Sequence, residues 1–341
     1  MTKPLLRVLA GEAVWPPPMW LMRQAGRYLP EYRAIRGQAG DFISLCTTPT
    51  LAAEVTLQPI RRYGFDAAIL FSDILMLPWA LGYGLAFKEG EGPVLPRLTT
   101  AADVAALDPS RVAKAITPIL ETVQRTKAGL DDDTTLIGFA GSPFTVACYM
   151  VEGGGSKDFA RIRGMAHGQP ELFGSLIDVL VDSTVEYVSA QIDAGADVAM
   201  LFDSWAGVLS PLLFARYVTD PTRRIVDALR ARHPGTPIIG FPRLAGVQVG
   251  AYAAATGVDA VALDTGADLH VATGLVPANV ATQGNLDPLA LVAGGAALEA
   301  EARGVLDVVR GRPHIFNLGH GIVPQTSPDH VAALVAQVRA A

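Results

Sequence analysis

The feature that most constrains the fold is a repeated order in which a short apolar strand is followed by a helical segment. Most of the strand-like stretches are near-continuous apolar runs rather than alternating ones, as expected for parallel strands buried on both faces. Eight stretches have this character: 18–23, 66–73, 134–141, 197–204, 236–242, 259–265, 279–287 and 314–321. Helices are predicted between them, most clearly over about 170–194 and 211–232, and in the C-terminal "SPDHVAALVAQVRAA". Eight such units predict an α/β fold, a single-domain (β/α)8 TIM barrel over residues 1–341.

An open, doubly wound sheet is the competing fold. It usually carries a glycine-rich phosphate turn after its first strand, and none follows the first predicted strand here. The length of 341 residues also suits a barrel, since barrels run this long as one domain.

Composition excludes several classes of protein. The formal net charge of -6 argues against general nucleic-acid binding, and no apolar run is long enough to span a bilayer. The two cysteines, Cys46 and Cys148, lie far apart outside any CxxC motif, so a disulfide scaffold is excluded and a structural zinc site is not expected. The N-terminus lacks the apolar core of an export signal, so we expect a cytoplasmic protein.

Polar side chains collect at the carboxyl ends of the predicted strands, and in a barrel this face carries the active site. These residues are Arg23, Ser72, Asp73, Ser142, Asp203, Ser204, Asp264, Asn317 and His320. Asp73 leaves a buried strand at this rim, where an ionised carboxylate needs a partner. The alternative for Asp73 is a helix cap or a structural pairing with an arginine.

Positive charge is concentrated near the N-terminus, although the chain as a whole is acidic. The stretch "MWLMRQAGRYLPEYRAIR" holds four arginines, Arg23, Arg27, Arg33 and Arg36. Arginine suits carboxylates because its planar fork donates two parallel hydrogen bonds. The alternative is a solvated charged face that pairs with Glu31.

Two further motifs contain residues that suit a binding site. In "YMVEGGGS" (149–156), Tyr149 can donate a hydrogen bond or merely pack, and the three glycines can offer N–H groups to an anion or form a mobile lid. His320 lies in "NLGHGI" between glycines that let the backbone approach a ligand. The other histidines show no ligand spacing, and Ser204 has no nucleophile motif, so neither a metal site nor a serine hydrolase is indicated.

Six blocks together resemble the uroporphyrinogen decarboxylase family of haem biosynthesis. They are "PPMWLMRQAGRYLPEYR", "LFSDIL", "SPFTVACYMVEGGGS", "FDSWAG", "QGNLDP" and "NLGHGI", which occur in the family's order over essentially the whole chain. The resemblance implies a homodimeric barrel with no metal and no organic cofactor. It implies conversion of the four acetate side chains of uroporphyrinogen III to methyls, giving coproporphyrinogen III and four CO2.

The same resemblance implies the site residues. Substrate contacts are expected at Arg23, Gln24, Ala25, Gly26, Arg27, Arg36, Asp73, Tyr149, Ser204 and His320, with Asp73, Arg23, Arg27, Tyr149 and His320 as the catalytic ones. The substrate carries eight carboxylates, so an acidic protein needs a local basic lining to receive it.

Two other functions remain open from the sequence. One is a corrinoid-dependent methyltransferase of a related barrel family, which would need a zinc-thiolate site of His and Cys at short spacing. The other is a tetrapyrrole carrier, which would use the same arginines but would not need Asp73.

Overall fold

The computed structural model describes residues 3–88 and 92–341, and a curled sheet of seven parallel strands lies at its centre. In chain order the strands are β1 (Ala67–Ile69), β2 (Ala86–Lys88), β3 (Gly92–Val94), β4 (Thr135–Gly141), β5 (Val198–Asp203), β6 (Ile238–Pro242), β7 (Ala260–Ala262), β8 (Ala281–Leu286) and β9 (His314–Leu318). The parallel sheet has the order β1-β4-β5-β6-β7-β8-β9, while β2 and β3 form a separate antiparallel pair. The predicted parallel α/β fold is confirmed.

Helices surround the sheet, as the alternating pattern predicts. They are α1 (Pro4–Leu9), α2 (Pro30–Gln38), α3 (Phe42–Thr47), α4 (Pro49–Tyr63), α5 (Met76–Ala80), α6 (Ala101–Ala105), α7 (Val112–Ala115), α8 (Thr117–Gly129), α9 (Pro143–Glu152), α10 (Ala160–Gly168), α11 (Pro170–Asp193), α12 (Pro211–Phe214), α13 (Asp220–Arg232), α14 (Gln248–Thr256), α15 (Leu269–Leu275), α16 (Pro288–Ala293), α17 (Gly295–Val309) and α18 (Pro328–Arg339). None of the helices in the described ranges has the length and apolar content needed to cross a bilayer.

The first predicted strand, 18–23, is not a strand but a single parallel bridge between Met19 and Phe316 of β9. Phe316 N donates to Pro18 O at 2.9 Å, and Asp66 N, just before β1, donates to Met19 O at 3.0 Å. This segment therefore joins the two edge strands of the sheet. It cannot extend further, because Pro18 has no N–H to donate and the chain turns after Leu21.

Two predicted helices have the expected outer bounds, but one of them is interrupted. The prediction over 170–194 is confirmed by α11, whereas the one over 211–232 is divided by a π-helical turn at Ala215–Thr219. Pro221 explains the division, since it has no N–H to donate to the carbonyl of the preceding turn.

The strands contribute fully buried side chains to a continuous apolar core, and every residue of β4, β6 and β9 is buried. At the junction of the sheet edges Trp20 is fully buried, and its Nε1 donates to Gln283 Oε1 of β8 at 3.0 Å. Because the strands themselves are packed in this core, the candidate site is formed by the segments that follow their carboxyl ends.

Candidate active site at the carboxyl ends of the strands

The loop that carries Arg23 is fixed to both edges of the sheet. Gln24 is fully buried, and its amide accepts a hydrogen bond from Leu21 N and donates one to Ala67 O, each at 3.0 Å. Met22 N donates to Asn317 Oδ1 of β9 at 2.9 Å. The side chain of Gln24 is therefore engaged within the protein and holds the loop in place.

Arg23 itself has a left-handed backbone, with φ of 61°, and an exposed side chain. Its stem lies over Gly321, where an added Cβ would overlap Arg23 Cδ. Positive φ is unfavourable for a residue with a side chain, so the surrounding hydrogen bonds must hold this conformation. The Gly26 position is equally confined, because a Cβ there would lie 2.7 Å from Arg23 O.

The arginines of this loop are not paired with Glu31. Glu31 instead binds Arg62, with Arg62 Nε 2.7 Å from Glu31 Oε1. Within residues 3–88 and 92–341, no carboxylate lies at ion-pair distance from Arg23 or Arg27. The pairing with Glu31 that the alternative predicted is therefore wrong, whereas the side chains of Arg23 and Arg27 are exposed to solvent, as it predicted. Arg36 lies further along α2, half-buried, and donates to Gly40 O at 2.9 Å.

Asp73 follows β1, and its Oδ1 accepts a hydrogen bond from Leu75 N at 2.8 Å, whereas its Oδ2 has no hydrogen bond to the part of the chain that the structure describes. Burial raises the pKa of Asp73, while the Leu75 N–H and then the charge of Arg23 act in the opposite direction. Asp73 therefore shapes the turn before α5, and the charge of Arg23 acts on its carboxyl; its role toward a substrate stays a prediction.

Tyr149 lies on the last turn of α9, and its ring centroid is 6.3 Å from that of Trp205. Burial raises the pKa of Tyr149, the Trp205 side chain lowers it, and smaller contributions come from the charges of Asp73 and Arg23. The hydroxyl therefore stays protonated at neutral pH and can donate a hydrogen bond.

His320 is half-buried beyond β9. Burial lowers the pKa of His320 to about 4, and the nearby charges of Arg23 and Arg243 act in the same direction. The imidazole is therefore neutral at pH 7 and offers one N–H to a ligand.

Asp203 is the last residue of β5 and Ser204 follows it, and the two side chains have different environments. Ser204 is half-buried at the rim, whereas Asp203 is buried, and Thr145 Oγ1 donates to Asp203 Oδ1 at 2.6 Å. Burial raises the pKa of Asp203 to about 7. The same Thr145 oxygen accepts from Trp205 N at 3.0 Å, so this pair supports the segment that carries Ser204.

The glycines after Tyr149 are partly used by the backbone. Gly153 N donates to Tyr149 O at 2.9 Å and so ends α9, and Leu95 N donates to Gly153 O at 3.1 Å. Gly154 forms an antiparallel bridge with Val94. The N–H of Gly153 is thus not available to an anion.

Arg243 is a rim residue that the sequence reasoning missed. It follows β6 directly, and its side chain is half-buried. The signal was present, because a basic residue comes straight after the predicted strand 236–242, much as Arg23 closes the predicted segment 18–23.

No group of three or more His, Cys, Asp or Glu side chains with metal-binding geometry occurs within the described ranges. Cys46 and Cys148 are both buried and unpaired. A cavity of about 450 Å³ lies on the outer ring between α11 and α13, away from Arg23, and is lined in part by Glu186 and Arg232. The rim residues therefore remain the candidate site.

The chain is similar to known proteins of one family over its whole length. The profile of the uroporphyrinogen decarboxylase family matches residues 1–341. A protein of Granulibacter bethesdensis named uroporphyrinogen decarboxylase is 62% identical over 99% of each chain. One of that name from Rhodospirillum rubrum is 53% identical over 99% of this chain and 97% of its own.

Among solved structures, a methyltransferase from Methanosarcina mazei superposes with a TM-score of 0.80. It is 20% identical, over 98% of this chain and 97% of its own, so this likeness concerns the fold alone.

Proposed function

The chain belongs to the uroporphyrinogen decarboxylase family, and we infer from this that it is a carboxy-lyase of haem biosynthesis. It removes the carboxyl groups of the four acetate side chains of uroporphyrinogen III and yields coproporphyrinogen III and four CO2. The observation that carries the proposal is the position of Arg23, whose charge acts on Asp73, Tyr149 and His320 at one rim of the sheet.

Asp73 is the residue on which the chemistry depends. Loss of CO2 from an acetate on a pyrrole requires an electron sink, and protonation of the adjacent ring carbon supplies one as a cationic iminium. An ionised Asp73 accepts hydrogen bonds from the pyrrole N–H groups and stabilises the developing positive charge. Its oxygen without a protein hydrogen bond supports this role. The macrocycle itself serves as the sink, so the proposal requires no organic cofactor.

The arginines bind and orient carboxylates. Arg23 directs the departing carboxylate, while Arg27 and Arg36 attract the substrate at the mouth of the site. The absence of ion pairs to Arg23 and Arg27 within the described ranges supports this, since their guanidinium groups are available to a ligand. Arginine is a poor acid, so a water or a substrate carboxyl is the better proton source.

The remaining residues hold peripheral carboxylates and so select which acetate faces Asp73. Tyr149 and Ser204 donate O–H groups, and the neutral His320 donates an N–H. Ala25 and Gly26 contribute backbone at close approach to the ligand, and Gln24 fixes their loop.

We also propose that residues 1–341 act as one domain, in the cytoplasm and as a homodimer. Two buried, unpaired cysteines suit a reducing compartment.

Large apolar side chains are exposed on three segments that follow neighbouring strands β5, β6 and β7, and we propose this apolar rim as the dimer interface. Its residues are Leu212, Leu244, Val247, Val271 and Leu275.

The test is anaerobic incubation of the purified, metal-free protein with uroporphyrinogen III, followed by oxidation and chromatographic counting of carboxylates. We expect loss of four carboxylates through species with seven, six and five. Substrate that is bound but unchanged would identify a carrier. Substrate that is neither bound nor changed would favour the methyltransferase relatives, and zinc analysis would then test for their metal site.

A further inference from the structure

The backbone of Arg243 is held at the same rim as the proposed substrate site. Its N–H donates to Asp203 O of β5 at 3.1 Å, and its carbonyl accepts from Gly207 N at 3.0 Å. The next N–H, of Leu244, donates to Asp264 Oδ2 at 2.7 Å. The position at which this side chain leaves the main chain is therefore fixed by three neighbouring segments.

Within residues 3–88 and 92–341, the guanidinium of Arg243 forms no hydrogen bond and no ion pair. Its Nε is buried without a hydrogen bond, and no carboxylate within the described ranges lies at ion-pair distance from it. A buried donor without a partner is unfavourable, and more so when the group is charged. An anionic ligand would remove this penalty.

The neighbours of Arg243 are two residues already proposed to bind carboxylates. Asp203 pairs with Pro242 in the parallel register of β5 and β6, so Ser204 and Arg243 are the next residues of adjacent strands. On the other side, the charge of Arg243 is among those that act on His320. Arg243 thus brings a positive charge to a part of the rim where the Ser204 hydroxyl and the neutral His320 imidazole can each donate a hydrogen bond.

We propose that Arg243 is a substrate-binding residue that holds a peripheral, non-reacting carboxylate of the tetrapyrrole between Ser204 and His320. This rests on the proposed function and adds a cation to that site outside the Arg23 loop. Its fork would clamp the carboxylate, while the neutral imidazole and the hydroxyl complete the hydrogen bonds.

The test compares Arg243→Gln, Arg243→Lys and a matched control, Arg303→Gln, which removes the same charge from the exposed face of α17. Steady-state KM and kcat are measured for the first decarboxylation, and equilibrium binding of coproporphyrinogen III is measured under argon. For Arg243→Gln we expect KM and the dissociation constant to rise about ten- to a hundredfold, with kcat nearly unchanged. Arg243→Lys should recover part of this loss, and Arg303→Gln should match the wild type.

A second readout reports the local charge directly. The His320 titration, followed by NMR, should move to higher pH in Arg243→Gln and stay in place in Arg303→Gln. Unchanged KM and unchanged binding in a folded Arg243→Gln would overturn the proposal, as would a fall in kcat alone. Failure of the wild type to decarboxylate would instead reject the proposed function, and the binding series would still decide the role of Arg243.

Discussion

The stem of Arg23 lies directly on Gly321, so a side chain at position 321 fits only if Arg23 moves. A Cβ at position 321 would overlap Cδ of Arg23 and come within 2.9 Å of its Nε. The residue after His320 therefore determines where the guanidinium of Arg23 can lie, although the two residues are far apart in the chain.

The substitution Gly321→Ala should displace the Arg23 side chain. We expect kcat/KM to fall about tenfold to a hundredfold, because displacements of about 1 Å have this effect at catalytic groups. Kinetics with uroporphyrinogen III provide the measurement. Gly304→Ala is the control, since a Cβ at Gly304 meets no atom within 4 Å. Equal activity of the two variants would mean that Arg23 is not constrained in this way.

The substitution Asp73→Asn should abolish turnover while much of the binding remains. The amide keeps the shape but carries no charge, so we expect kcat to fall about a hundred- to a thousandfold, the size of effect seen for a lost electrostatic stabiliser. Rapid-quench counting of carboxylates measures the turnover. A wild-type rate would contradict the charge role.

The ionisation of Asp73 can be followed separately. Burial raises the pKa of this carboxyl and Arg23 lowers it, so activity should decline as the pH falls through a midpoint above the ordinary aspartate value of about 3.9. The titration of the Asp73 carboxyl itself can be followed by its 13C shift. Arg23→Gln should move the midpoint of this titration to still higher pH, because the charge of Arg23 lowers the pKa of Asp73. A midpoint that did not move would show that Arg23 does not act on Asp73.

The substitution Tyr149→Phe tests the phenol alone, since the ring can keep its packing on Trp205. We expect KM to rise about tenfold, the effect of one hydrogen bond to a charged group, with an unchanged melting temperature. Trp205→Phe is a useful comparison, because it disturbs the packing and leaves the hydroxyl. If Tyr149→Phe had wild-type kinetics, Tyr149 would only pack.

Asp203 should make stability depend on pH. Its pKa is about 7 in the folded protein and about 3.9 in an unfolded chain, so the folded state holds this proton more tightly. Ionisation of the buried Asp203 therefore destabilises the folded state. This effect is absent below about pH 4, grows as the pH rises and levels off above 7, where it reaches ~4 kcal/mol. Asp203→Asn should remove this dependence and make the protein more stable than wild type at pH 8. Denaturant unfolding at pH 5 and pH 8 measures both, and parallel curves for the two proteins would refute the expectation.

The proposed dimer interface can be tested at Val247, which is 76% exposed. Val247→Glu should shift the sedimentation profile toward the monomer at micromolar concentration without a change in circular dichroism. Leu289→Glu is the control, since Leu289 is 64% exposed but lies on α16, outside the proposed apolar rim. Sedimentation identical to the wild type would remove Val247 from the interface.

The sequence predicted most of the sheet because buried parallel strands are continuous apolar runs. The prediction of a strand at 18–23 was wrong. The segment is apolar, but Pro18 has no N–H to donate, and the segment contributes only the bridge at Met19. The sequence also predicted one helix over 211–232, since the effect of Pro221 on the preceding turn is local geometry rather than periodicity.

The site was predictable where a polar residue follows a strand, as with Asp73, Ser204 and His320. Two features were not. Asp203, the last residue of β5, is buried against Thr145, whereas Ser204 after the strand is half-buried, and no sequence pattern distinguished the two. The significance of Arg243 depends on its buried, unpartnered Nε among the described residues, which only the packed structure reveals.

The bridge between Met19 and β9 has a consequence for synthesis of the chain. Met22 and Asn317, which fix the Arg23 loop, are 295 residues apart, so the hydrogen bond between them forms only after Asn317 has left the ribosome. Contacts of such separation form late and slowly. The Arg23 loop is thus synthesised long before the residue that fixes it, and a nascent chain that has not reached Asn317 has no assembled place to hold a reactive porphyrinogen.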